Sequence, residues 1–295
     1  MNIRGFLAKF SGLNDLKQAI EWNVRKQYLE DKIKNCIDLG VSSHKYADAN
    51  IIVSLTTYGR RLQWVDLTIE SIMQQTIKAN KIVLWLGEKD FRRPIPYSLR
   101  RMEERGLEIR ETRDIRSYTK LIPSLIDYPN DIIITIDDDV LYDFELLDKM
   151  VSSYQNNPSN IHACRCHVMK YNSSGKLMPY NTWEMNSFDY SDKMNNFFTG
   201  VGGVLYPPAC HDEDVCNVTV FERICPTADD VWFNAMARKK GTLIDKVPTK
   251  STMGIDYIGN DAVEDMGLYN LNTKGKCLND IQIKDVWNYC GLARI

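Results

Sequence analysis

With 295 residues, 44% of them hydrophobic and 26% charged, the chain can bury the core of one large domain with appendages, and its composition excludes a disordered polymer. A formal net charge of −2 provides no global basic field, so nucleic acid is excluded as a general partner and any polyanion specificity must be local. The eight cysteines (Cys36, Cys164, Cys166, Cys210, Cys216, Cys225, Cys277 and Cys290) form neither CxxC pairs nor a Cys/His zinc pattern and are expected as reduced thiols. There is no apolar leader core and no run of about 18 apolar residues, so a soluble cytoplasmic protein is expected, at most peripheral on the inner face of the cell membrane.

Residues 1–48 read as a helical extension, free of proline up to that point, with Arg4, Lys9, Lys17, Arg25, Lys26, Lys32 and Lys34 outnumbering the acids. Phe6, Leu7, Phe10, Leu13, Leu16 and Ile20 recur at roughly helical spacing. Such a basic amphipathic helix can lie on an anionic membrane, but packing on the main domain or on a second subunit of a homodimer is the preferred reading. From Asn50 short β-branched runs alternate with helical periods, the pattern of a mostly parallel sheet built from βαβ units. Strands are predicted at 51–56, 81–86, 107–110 and 131–136. Helices are predicted through Leu62, Val65, Ile69, Ile72 and Met73, over 97–105 up to Gly106, and over 118–126.

Beyond Pro158, a strand is expected at 161–169, a polar aromatic loop at 172–196, a glycine-bearing strand at 199–206, and a helix at 227–240 closed by Gly241. An α/β catalytic domain is therefore expected over 49–250. Its nucleotide-binding half is 49–142 and its acceptor half 143–250, with a C-terminal segment, 251–295, packing on it.

Asp137, Asp138 and Asp139 follow directly on the apolar strand DIIITI, which puts them at the carboxyl edge of the sheet, where open α/β folds bind ligands. In extended backbone alternate residues share a side, so Asp137 and Asp139 project together and Asp138 faces away. Two such carboxylates repel unless a cation compensates, and Mg²⁺ or Mn²⁺ held by one or two carboxylates with substrate phosphates fits that need. An acidic loop-capping turn is the alternative. In TADDVWF, Thr227 is a candidate N-cap that puts Asp229 and Asp230 in the first helical turn, where they either complement the helix dipole or supply a general base. Trp232 would offer a sugar ring a flat face, or else belongs to the core. Gly200, Gly202 and Gly203 lack GxGxxG spacing, and no phosphate loop of the Gly-Lys-Ser/Thr type or GxSxG elbow exists. His44, His162, His167 and His211 are expected as ordinary histidines, with His211 in CHDED as the one candidate for an extra metal contact.

IVSLTTYGRR, SIMQQT, KIVLWL, RDIRSYTKLIPSL, IIITIDDDVLY, TGVGGVLYPP and TADDVWF, in that order between Asn50 and Val247, with NDIQ at 279–282, together resemble bacterial glycosyltransferases of the GT-A fold. The nearest group is the family-2-like enzymes of capsule, lipopolysaccharide and other surface-glycan synthesis. The resemblance implies an α/β GT-A sheet, mixed but mainly parallel, and a nucleotide-sugar donor, UDP before GDP or another nucleotide. It also implies a glycan or lipid-linked oligosaccharide acceptor and an inverting reaction. Thr56, Tyr58 and Arg60 would border base and ribose, Asp114 would read the base edge or ribose, and Lys120 would reach base or phosphate. Asp137 would contact ribose, sugar or metal and Asp139 the metal, with Asp138 grouped among the donor-binding residues. Asp230 or Asp229 would be the base, and Trp183, Gly202, Gly203 and Trp232 would lie on the acceptor side. The sequence departs from the family's pattern in the 172–196 insertion and in having no histidine after His211 as a third metal ligand.

Two rival classes remain open. A sugar nucleotidyltransferase uses a similar sheet, carboxylates and cation, but the glycine-rich basic phosphate loop it needs after the first strand is missing. A non-catalytic glycan-binding protein would have no use for the intact acidic cluster.

Overall fold

The computed structural model describes residues 3–249, 257–259 and 278–292, leaving the side chains of 3–15 and 18 outside that description. The helices are α1 (Ile3–Asn35), α2 (Val65–Met73), α3 (Glu88–Phe91), α4 (Tyr97–Glu103), α5 (Ile122–Asp127), α6 (Leu146–Asn156), α7 (Val218–Ile224), α8 (Asp229–Lys240) and α9 (Leu278–Cys290). The first strands are β1 (Ile51–Thr56), β2 (Lys81–Gly87), β3 (Leu107–Thr112), β4 (Ile132–Thr135) and β5 (Val140–Tyr142). They are followed by β6 (Ile161–Ala163), β7 (Cys166–Val168), β8 (Asn196–Phe198), β9 (Val204–Tyr206), β10 (Ile244–Lys246) and β11 (Tyr257–Gly259).

Seven strands form one sheet in the order β10-β6-β9-β4-β1-β2-β3, in which only β9 runs antiparallel. This mixed, mainly parallel sheet flanked by helices, with a helical N-terminal extension, is the α/β arrangement of sheet and helices expected. The runs IIVSL and DIIIT are apolar at nearly every position because both sheet faces are covered. Ile51, Val53, Leu55, Ile132 and Ile134 enter one cluster with Val65, Ile69, Leu99 and Leu147, while Ile52 and Ile133 enter the other with Tyr118, Phe221, Val231 and Val286.

Several boundaries differ for identifiable reasons. The helix predicted over 118–126 is a 3-10 turn, Arg116–Lys120, and then α5, broken at Leu121 just ahead of Pro123. The strand predicted at 161–169 divides between the main sheet and a β7–β8 ribbon. In the 199–206 stretch, Gly202 and Gly203 sit at φ +95° and +99°, so regular strand begins only at Val204. Helix α8 is capped at Ala228, while Thr227 pairs with Gln282 of the NDIQ segment.

The C-terminal half of α1 packs on the domain. Leu29 is fully buried with Leu67 and Leu141, and the Arg25 guanidinium lies 3.3 Å from the centre of the Phe144 ring. Farther out, Leu16, Ile20 and Val24 are exposed, and the side chains of Phe6, Leu7, Phe10 and Leu13 lie outside the described residues. Among the described residues, Cys36, Cys166, Cys210, Cys216, Cys225 and Cys290 form no disulfide, Cys277 lying outside them, and no helix is long and apolar enough to cross a membrane.

Candidate active site

The parallel strands deliver their carboxyl ends to one edge, and the acidic loop leaves β4 there as Asp137-Asp138-Asp139. The alternation is realised: Asp137 and Asp139 keep a quarter or more of their side chains exposed, and Asp138 is 7% exposed. Asp138, expected among the donor-binding residues, instead anchors the loop from beneath, accepting from Thr57 Oγ1 at 2.5 Å and Arg61 Nη1 at 2.6 Å. The same Nη1 stands 3.1 Å from Asp139 Oδ2. The cation meeting the acidic loop is thus Arg61, while Arg60, which the sequence reading chose, is exposed. Both belong to the turn after β1, and the buried pair lies 77 residues apart in sequence, beyond any local pattern. Burial, then the neighbouring Asp137 and Asp138, push the Asp139 carboxyl up to about 6 against the pull of Arg61.

Lys120 joins the two halves of the site. Its Nζ is 2.9 Å from Asp137 Oδ1 and 3.3 Å from Asp229 Oδ2, and its side chain is only 10% exposed. Burial pulls the ammonium down, but Asp137, Asp229 and Asp230 outweigh it and hold Lys120 well above the ordinary lysine value. Its backbone is pinned as well: Ser54 Oγ donates to the Lys120 carbonyl at 2.6 Å and lies in a buried network with Ser124 Oγ and Trp85 Nε1. Asp137 is held by its own N–H, which donates to the buried Tyr142 hydroxyl at 2.8 Å.

Asp229 and Asp230 open α8, so the helix N-terminus faces the acidic loop across Lys120. Asp230 Oδ1 accepts the Gly200 N–H at 3.0 Å. Burial and the adjacent Asp229 push Asp230 up to about 7, opposed by Lys120. Gly200, noted in the sequence with Gly202 and Gly203 but not expected among the site residues, is the glycine that meets the site: a Cβ there would stand 2.5 Å from Lys120 Nζ and 3.3 Å from Asp230 Oδ1.

The remaining expected residues divide. Thr56 donates its hydroxyl to the Trp85 carbonyl at 2.9 Å, and Tyr58 is half exposed beside Arg61. Asp114 lies exposed past β3, its Oδ1 accepting the Arg116 N–H at 2.9 Å, and it sits so close to Gly87 that a Cβ there would come within 2.8 Å. Gly202 borders Tyr257 and Arg165, whereas Gly203 packs against Met150 in the core. Trp183 and Trp232 are corrected: they are 4% and 0% exposed, donate their indole N–H to the Met178 and Val215 carbonyls, and present no face to a sugar. His211 is buried against Tyr206 and Phe233, where burial pushes it down to about 3.

No family model matches the chain, and no curated protein does. Among solved structures, residues 1–349 of TarS from S. aureus align at 12% identity and a TM-score of 0.47, over 81% of this chain and 71% of that one. A CMP:2-keto-3-deoxy-manno-octonic acid synthetase complexed with CTP aligns at 12% identity and 0.42, over 74% and 97%. Likeness this distant carries no assignment of function.

Proposed function

We propose that the chain is a metal-dependent glycosyltransferase that moves a sugar from a nucleotide-sugar donor, UDP-linked in the first instance, to a glycan or lipid-linked acceptor with inversion. The observation that carries this reading is the convergence at Lys120 of an acidic loop from the first half and a carboxylate-bearing helix N-terminus from the second. Direct displacement at a sugar carbon needs both a place for a departing diphosphate and a base for the incoming hydroxyl.

The residues fit a divalent cation. Among the described residues, the cations paired with the Asp137–Asp139 and Asp229–Asp230 carboxylates are Arg61 and Lys120, so with all groups ionised five carboxylates meet two cations, an excess of three negative charges. Among the described residues no three His, Cys, Asp or Glu side chains form a complete cage, so Asp137 and Asp139 would share the ion with donor phosphate oxygens. When bound, Mn²⁺ or Mg²⁺ supplies charge neutralisation for the leaving diphosphate.

Asp230 is preferred to Asp229 as the base because Asp229 is buried against Lys120, whereas Asp230 keeps partial exposure and an elevated pKa. The Gly200 N–H orients Asp230 through Oδ1, and the carboxylate would take the acceptor hydroxyl proton as that oxygen attacks. Tyr58 and Asp114, both exposed beyond strand ends of that edge, would contact base and ribose.

The test is a thermal-shift and calorimetric panel of UDP, GDP, CMP and ATP with Mn²⁺, Mg²⁺ or EDTA on wild type and Asp139→Ala. Metal-dependent stabilisation by UDP, about 2.7 kcal/mol at a hundredfold excess over Kd, should disappear in the variant. Pyrophosphate release from a nucleoside triphosphate and a sugar phosphate would replace this reading with nucleotidyl transfer. Metal-independent sugar binding without turnover would replace it with a glycan-binding role.

A further inference from the structure

A concave site lies where α1, α2 and α4 meet. It is a cleft of about 400 Å³ between α1, the start of α2 and the start of α4. Trp64 and Tyr97 line it with 40% and 80% of their surfaces exposed, and the polar lining includes Gln63, Asp66 and Ser98. Its charged groups, Glu30 and Asp66 against Lys34 and Arg101, balance to zero. The Asp66 carboxylate is fixed, its Oδ1 accepting the Leu67 N–H at 2.9 Å. Two exposed aromatic rings in one cleft leave flat apolar area in water, which a folded protein ordinarily avoids, and the amide, hydroxyl and carboxylate around them offer both donors and acceptors.

We infer that this cleft is a binding subsite for a neutral oligosaccharide, with sugar rings seated on Trp64 and Tyr97 and their hydroxyls met by Gln63, Asp66 and Ser98. Pyranose rings present apolar C–H faces and a polar rim, and this lining matches both. The balanced charge disfavours a phosphate or other polyanion. Trp64 directly follows the Gly59–Gln63 turn, whose Arg61 grips Asp138 and Asp139, so the chain links the cleft to the acidic edge. That the bound oligosaccharide is the acceptor rests on the function proposed above.

The experiment titrates cello-, chito- and maltohexaose, without donor, into wild type, Trp64→Ala and Tyr97→Ala. Tryptophan fluorescence and saturation-transfer NMR report binding. Saturable binding of at least one hexaose is expected, weakened about tenfold or lost in both variants, the cost of truncating an aromatic anchor. Tyr97 is too exposed for its truncation to unfold the chain, and UDP-dependent stabilisation should be unchanged in Tyr97→Ala. Failure of all three sugars to bind at millimolar concentration, or undiminished binding in both variants, overturns the subsite. Tyr97-dependent hexaose binding with no response to any nucleotide would keep the subsite and remove the transfer reading.

Discussion

Replacing Lys120 with methionine removes the cation that joins the two halves of the site. At 2.9 and 3.3 Å, and with an effective dielectric near 20, the attraction to Asp137 and to Asp229 is about 5 kcal/mol each before desolvation is subtracted. Removing one partner of a buried pair typically costs about 3–5 kcal/mol, because the other charges stay behind. For a chain of this length, with an unfolding entropy of roughly 2 cal/mol/K per residue, that is a fall in Tm of about 5–8 °C. The loss should be greatest at pH 8 and shrink on acidification, since Asp230, already raised to about 7, would rise further without Lys120 and take up a proton. Calorimetric scans of wild type and Lys120→Met at pH 8 and pH 5.5 in EDTA measure both effects. Equal Tm values at pH 8 would show that Lys120 is not the electrostatic centre of the site.

Asp230→Asn should lower kcat by about two to four orders of magnitude with donor affinity unchanged, while wild-type turnover rises with pH through about 7 as the base loses its proton. Steady-state kinetics across pH 5.5–8.5 checks both, and unchanged kinetics would move the base to Asp229 or argue for retention. Because Asp230 and Asp139 are raised to about 7 and about 6 in the fold, the folded state holds protons that the unfolded chain releases. Their contribution therefore makes metal-free stability fall as pH rises from about 4 to 7, and saturating Mn²⁺ should flatten that slope in thermal melts. Away from the site, Glu70 is fully buried and paired with both terminal nitrogens of Arg105 at 2.7 and 3.0 Å, so Glu70→Ala should cost about 3–5 kcal/mol in urea unfolding.

Much of the scaffold was legible because its signals are local. The runs at 51–56, 81–86 and 131–136 announced strands covered on both faces, and Gly241 at φ +86° closed α8 where a left-handed residue is needed. Less was legible where one pattern served two elements. Pro123 divides a helical period, and the alternation at 161–169 continues across a change of sheet. Arg60 and Arg61 are indistinguishable by composition, and only the turn after β1 selects Arg61.

The sequence by itself determined that an apolar parallel strand ends in three aspartates and that alternation turns Asp137 and Asp139 to one side, because side-chain direction in extended backbone depends on nothing beyond neighbouring residues. Tertiary structure alone decided that Lys120 bridges Asp137 and Asp229, that the Gly200 N–H holds Asp230, and that Trp183 and Trp232 are core. Those relations join segments far apart in the chain, and packing of α8 and the 3-10 turn over the carboxyl edge, rather than any repeating spacing, brings them within hydrogen-bond reach.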